Sequence, residues 1–475
     1  MDVRSPAEGQ VPLELEQGRL SPVRQLTPGE QVMVELTVRR PSWVGWLVGH
    51  TEQLRLVIKT PEAQVLSRWV EVKSGAPVTV SFSIPVARLS VKGSRARSLS
   101  VPQTVVPVGV VASGSHGVGT IEVAAAARSW ERLSAPVKVT WFPATSYPQV
   151  LVTPSPGALL SPTGQLTLTF SDTVKDALGS SLPQLSPAAP GSWRALDTHT
   201  LVFQPSGMGF PLGETVRVTL PGAIRLAGQT GPQSASTLEW HIPQGSTLRL
   251  QQLLAQLGYL PLDWQPTGDS TPPTAAAQLA AAVSPPSGGF SWRYANTPPE
   301  LAALWKAGEL DEITRGAVMM FENTHGLTVD GLIGPKVWAA LIADVVAGNR
   351  YTGGYSYVYV HRDDPQLLTL WHNGQVILTS PGNTGVPSAP TELGTFPVFE
   401  HIPVGTMSGT NPDGSHYNDP GIRYISYFNG GDAIHSFDRA SYGTPQSLGC
   451  VELPLAAAAQ VWPYTPIGTL VTIEN

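Results

Sequence analysis

The chain has 475 residues, 35 acidic against 29 basic side chains, a net charge of −6, only 13% charged residues and a mean hydropathy of 0.00. That balance excludes a nucleic-acid binder or a protein held electrostatically on an anionic membrane, and no stretch approaches the ~18 consecutive apolar residues of a membrane span. The length, with 47 glycines and 45 prolines, predicts three or four domains joined by punctuated loops, each able to bury a core.

The opening residues Met1-Asp2-Val3-Arg4-Ser5-Pro6 lack the apolar run of a signal peptide. Val32–Val38, Leu54–Ile58, Val78–Ile84 and Val137–Trp141 alternate and are rich in β-branched residues, predicting half-buried strands of a β-sandwich over 1–144. After Pro143–Pro148 a second β module is expected over 145–244, with strands at Gln165–Phe170, Thr200–Phe203, Thr215–Leu220 and Leu238–Trp240. Its pattern around Leu168–Ser171, Gly191–Trp193 and Phe203–Pro205 resembles bacterial immunoglobulin-like modules. Trp193 and Trp240 read as core rather than as a ligand platform.

From Gly245 the period changes. Leu250, Leu253, Leu254 and Leu257 fall on one helical face, as do Ile313, Ala317, Met320 and Phe321. Asp330–Pro335 then reads as a turn opening a helix through Val337–Leu341. The order Leu-Gln-Gln…Gly-Tyr-Leu, Ala-Val-x-x-Phe-Glu, Gly-Leu-x-x-Asp-Gly-x-x-Gly-x-x-x-Trp resembles a peptidoglycan-binding helical domain over 245–348. A Pro/Ala/Ser-rich insert, about 263–289, reads as a mobile loop. Each apolar residue taken singly is core of an ordinary bundle. Wall binding rests on the resemblance, which implies a groove lined by exposed residues such as Tyr259, Asn323 and Asp330.

Cys450 is the one cysteine, so no internal disulfide is possible. With His435 upstream it is a candidate nucleophile with its base, since the thiolate is the reactive form and an imidazole can generate it; the alternative is an inert thiol packed as a small hydrophobe. Gly449 lets backbone N–H groups approach a reacting carbonyl, and Asn429-Gly430-Gly431-Asp432 reads as a tight turn delivering Ala433-Ile434-His435 as a strand. A papain-like peptidase places Cys before His, and a sortase needs an Arg after its Cys; this chain has neither. His361, His372, His401 and His416 are scattered without metal-ligand spacing, so no metal is expected.

Three blocks in order give residues 349–475 a family resemblance: Val358-Tyr359-Val360 through Ser380, a Gly/Pro-rich stretch from Gly382 through Thr395-Phe396, and Ile434-His435-Ser436 with Ser447-Leu448-Gly449-Cys450-Val451 before Gly468–Val471. The segment resembles an L,D-transpeptidase catalytic domain. The resemblance implies that Cys450 attacks a donor stem-peptide carbonyl and His435 moves the proton, that the Ser436 carbonyl orients the ring, and that Ser447, Gly449 and the Cys450 amide line the oxyanion site. Leu448, Tyr427, Thr395 and Glu452 are the further expected substrate contacts. Two departures stand out: Leu448 replaces a common His, and Glu452 replaces a common Arg or Asn, making the local charge negative.

The expected architecture is multidomain and mainly β: two N-terminal β-sandwich modules, a small helical peptidoglycan-binding domain and a β-rich C-terminal catalytic domain. The expected function is a cofactor-free, extracytoplasmic cell-wall transpeptidase acting on stem peptides and glycan strands, open to carbapenem acylation, and exported by a segment not visible in the sequence. Competing readings are an L,D-carboxypeptidase or protein-to-wall anchoring enzyme on the same site, and a non-catalytic wall-binding scaffold.

Overall fold

The computed structural model of the protein describes residues 1–6, 9–16, 18–91, 95–111, 117–228 and 234–475. Gln31–Arg39 pairs antiparallel with Thr51–Lys59 and with Asp2–Ser5. Val3, Val11, Leu26, Val32 and Val34 close a small core on this sheet. A separate five-stranded sheet runs in the order Trp69–Val72, Val137–Pro143, Gly119–Ala126, Pro77–Val91, Arg97–Val111. Alternate residues such as Val78, Val80 and Phe82 turn to its core.

Between Gln149 and His241, a five-stranded and a three-stranded sheet share a core that includes Leu166, Leu168, Phe170, Phe203, Val216 and Val218. Trp240 is fully buried there, and its indole N–H is satisfied by the Pro154 carbonyl at 3.0 Å. Trp193 packs against the same core and donates to Pro183 at 2.9 Å. Both tryptophans are structural, as their setting in the sequence predicts.

The helix Thr247–Leu257 buries all four leucines of its predicted face, and Gly258 closes it in the left-handed conformation (φ +92°). Asp311 caps Glu312–Thr324 by accepting from the Thr314 amide at 2.7 Å, while Pro335 opens Pro335–Ala347. The 263–289 insert differs from expectation. Instead of a loop it forms a hairpin, Leu262–Pro266 with Gly288–Trp292, that brackets a helix at Ala275–Val283. Alanine's high helix propensity and the Thr274 cap favour this helix. Leu279 and Ala282 then bury in the main core. Gln278 accepts from the buried Arg249 guanidinium at 2.6 Å, and desolvation holds that guanidinium down to about 10. Tyr259 also departs from expectation: it is 4% exposed, stacked on Tyr351 and bonded to Thr324 at 2.9 Å, so it lines no groove. Asn323 and Asp330 are exposed.

At the C-terminus a five-stranded sheet, ordered Gln375–Pro381, Leu367–His372, Ser356–His361, Leu470–Glu474, Gly394–Pro397, shares a core with a four-stranded sheet. The second sheet is ordered Glu400–Thr410, His416–Asn429, Asp432–Ser436, Val451–Leu453. One continuous core runs from Val150 through the helices to Tyr355, Tyr357, Trp371 and Leu470, so packing crosses both divisions expected near 244 and 348. The fold is mainly β, with a helical unit wedged between β modules.

Gly316 marks a tight contact in that wedge: a Cβ there would lie 2.5 Å from the Gly468 carbonyl and 2.9 Å from Leu470. Gly316→Val should therefore cost on the order of 3 kcal/mol by overpacking. Gly334→Ala meets nothing within 4 Å and should cost well under ~1 kcal/mol. Equilibrium urea unfolding of both variants checks this; equal midpoints would contradict it.

Candidate active site

Parallel pairing between Asp432–Ser436 and Val451–Leu453 builds the site, with Ile434 opposite Val451, His435 opposite Glu452 and Ser436 opposite Leu453. Side chains alternate across a strand. Ile434, Val451 and Leu453, each 1% exposed or less, face the core. His435, Cys450 and Glu452 open together into a cavity of about 390 Å³ on the other face.

His435 is buried, and its Nδ1 lies 3.0 Å from the Ser436 carbonyl. A carbonyl can only accept, so Nδ1 carries the hydrogen and Nε2 keeps its lone pair. Burial also pushes the imidazole's pKa down, favouring the neutral ring. Cys450 is half-buried, and its thiol donates to the Gly431 carbonyl at 3.7 Å rather than to the imidazole. Desolvation, then the Asp432 and Glu452 carboxylates, push that thiol up to about 12. Both shifts favour a neutral thiol and imidazole at rest over a preformed ion pair.

The loop before Cys450 is braced from several sides. Ser447 Oγ donates to the Cys450 carbonyl at 2.6 Å and accepts from the Gly449 amide at 3.3 Å, so both bonds of the hydroxyl hold the loop. Gly449 has φ +120°, and a Cβ there would sit 2.1 Å from Asp432 Oδ1. Only glycine fits. Buried Asn383 and Thr384 hold the loop from behind: Asn383 Oδ1 accepts from Gly443 N at 2.9 Å, and the Thr384 carbonyl accepts from Ser447 N at 3.0 Å. Ser436 Oγ donates to Arg423 O at 3.2 Å, outside the reacting set.

Leu448 and Ser447 line the cavity. Tyr427 packs beside its floor in the apolar cluster that contains Cys450, without lining it. Thr395 is not brought to the site: its hydroxyl shares a 2.8 Å bond with Thr472 in the five-stranded sheet. Glu452 carries no uncompensated charge. Arg439 holds it through two bonds of 2.8 and 2.7 Å, with its guanidinium carbon 4.5 Å from the Phe437 ring centroid.

Sequence reasoning missed Arg439 and Asp432, and it missed Met407, Tyr417 and Asp419 from the hairpin Glu400–Thr410/His416–Asn429 that walls the cavity. Asp432 had a visible signal, a carboxylate immediately after the Gly-Gly turn; its carboxyl is raised to about 6 by desolvation and by Glu392. Among the described residues, no group of three His, Cys, Asp or Glu side chains forms a metal site.

Residues 355–473 match the family model of the L,D-transpeptidase catalytic domain, and residues 300–341 match that of a putative peptidoglycan binding domain. No curated protein matches the chain. Similar solved structures include an L,D-transpeptidase from Mycobacterium smegmatis, at 13% identity, 69% coverage of this chain, 99% of that chain and a TM-score of 0.24. The catalytic domain of an E. faecium L,D-transpeptidase is 27% identical over 25% of this chain and 95% of that chain, with a TM-score of 0.23. L,D-transpeptidase 3 from Mycobacterium tuberculosis, with a faropenem-derived adduct, is 12% identical over 68% and 97%, with a TM-score of 0.23.

Removing the negative neighbour should ease thiol ionisation. Asp432→Asn should raise the rate of Cys450 alkylation by iodoacetamide several-fold at pH 8, and the gap from wild type should close below pH about 6, where Asp432 is protonated. Superimposable pH profiles would contradict this. Arg439→Ala leaves Glu452, 4% exposed, without its partner. The loss should be about 2–3 kcal/mol, below the usual cost of breaking a fully buried pair because Arg439 is partly exposed. Chemical denaturation would measure it, and a loss under about 0.5 kcal/mol would contradict it.

Proposed function

We propose that this chain, which carries an L,D-transpeptidase catalytic domain and a peptidoglycan-binding domain, is a cysteine acyltransferase that cross-links stem peptides of the cell wall outside the cytoplasm. The observation that carries the reading is the shared cavity, where an imidazole whose free Nε2 is fixed by a carbonyl on its other nitrogen stands with a half-buried thiol.

In the proposed reaction the thiol turns from the Gly431 carbonyl toward His435. Its sulfur attacks the donor carbonyl as the proton passes to Nε2. The Cys450 amide would face the developing oxyanion, the Gly449 amide being held by Ser447 Oγ. Collapse breaks the donor's terminal peptide bond, the leaving amine takes the proton from Nε2, and a thioester remains on Cys450. An acceptor amine then attacks the thioester, gives its proton to His435 and leaves a new amide; the proton returns to sulfur. Thiol and imidazole supply every proton step, so the reading needs no cofactor. The helical unit, sharing its core with the catalytic domain, would hold glycan strands nearby and raise the local concentration of stem peptides. Exposed Asn323 and Asp330 remain the candidate contacts there.

A carbapenem mimics the acyl donor and serves as the probe. Intact-mass measurement should show wild type gaining one carbapenem and Cys450→Ala gaining none. His435→Ala should acylate about 10²–10⁴-fold more slowly. A folded wild type that stays unmodified would contradict the reading. Incubation with stem-peptide substrates should then yield cross-linked dimers; free tripeptides alone would assign hydrolysis instead.

A further inference from the structure

The N-terminal hairpin ends in Pro41-Ser42-Trp43-Val44-Gly45-Trp46-Leu47-Val48-Gly49, whose Ser42–Val48 segment is a short helix joining Gln31–Arg39 to Thr51–Lys59. Trp43 and Trp46 are each 77% exposed, Leu47 67% and Val48 55%. The other tryptophans are buried, as Trp240, Trp338 and Trp371 are at 3% exposed or less, or half-buried, as Trp69 and Trp305 are.

The exposed tip is nonetheless well defined. The Arg40 amide donates to the His50 carbonyl at 3.0 Å, and its guanidinium donates to the Val48 carbonyl at 2.5 Å and pairs with Glu52 at 3.1 Å. His50 fills the space over Gly45, where a Cβ would lie 2.4 Å from the ring. The chain thus fixes a helix in place while leaving its apolar side chains outside.

We propose that this tip docks on a lipid bilayer surface, with both indoles at headgroup depth. Tryptophan favours that depth because an apolar ring and a polar N–H suit the boundary. The charged residues nearest the tip are Arg39, Arg40 and Glu52, the last paired with Arg40 at 3.1 Å, so docking would bring no unpaired carboxylate to the surface. Arg39 is exposed beside the tip and can lay its stem along the apolar region with its head in water. The tip is a projecting turn with side chains exposed around it, not a groove; a fluid bilayer accepts such a shape, whereas a protein partner needs a matching hollow. Net charge of −6 removes electrostatic adsorption as the driver, so attachment would be apolar and insensitive to salt. The inference is independent of the chemistry assigned to Cys450.

Co-sedimentation of the full chain with phosphatidylcholine vesicles, with and without phosphatidylglycerol, tests it. Wild type should sediment with both compositions at low and high salt. Trp43→Ser/Trp46→Ser should partition about ten-fold less with unchanged circular dichroism, and Trp43→Phe/Trp46→Phe should fall between. If the double serine variant misfolds, Leu47→Ser alone should still weaken partitioning. Wild type remaining in the supernatant, or binding equally well without the indoles, overturns the proposal. So does binding that requires phosphatidylglycerol and disappears in salt, or a concentration-dependent dimer abolished by the serine variant, which would assign the tip to a second copy of the chain.

Discussion

The pairing of two short strands governs the site. Ile434 against Val451 and Ser436 against Leu453 bury a row of side chains on the core face, and this burial fixes the register. A slip of one residue would turn apolar groups to solvent and rotate His435 or Cys450 into the core. Hydrophobic packing behind the sheet thereby decides which side chains meet in front of it.

Electrostatics then sets the resting protonation. The imidazole is buried and tied through Nδ1 to a carbonyl, and the thiol is crowded by protein and faced by Asp432 and Glu452. Burial of both groups, together with the two carboxylates near the sulfur, outweighs the Ser436 carbonyl on Nδ1 and the Ala433 hydrogen bond at the sulfur, which favour the charged forms. Arg439 moderates this by neutralising Glu452, and Gly449 admits Asp432 to the position where a side chain would otherwise stand. In the proposed reaction such a site would defer charge until a substrate carbonyl could receive it.

What the sequence disclosed follows the range of the interactions. The leucine face of Thr247–Leu257 and the alternation in Leu166–Phe170 are local patterns that burial enforces, so both were readable. That His435 and Cys450 share one cavity was foreseeable from their order beside Gly449, since the resemblance joins those residue types. Arg439 was not: it reaches Glu452 across 13 positions through a loop without a local signature. Tyr259 follows a helix-ending glycine and looks like a loop residue, but Tyr351 and Phe321, distant in sequence, enclose it. Thr395 sits within a matching motif yet serves the sheet. The Ala-rich insert was misread because its composition resembles a linker, whereas Leu279 and Gln278 anchor it to the bundle.

The most direct measurement of the central claim is the nitrogen and carbon NMR spectrum of the His435 imidazole across pH, recorded beside the ultraviolet absorbance of the Cys450 thiolate. A neutral ring protonated at Nδ1, titrating below the range of free histidine, with no thiolate at neutral pH, is the predicted result. An imidazolium accompanied by a thiolate at neutral pH would contradict the account.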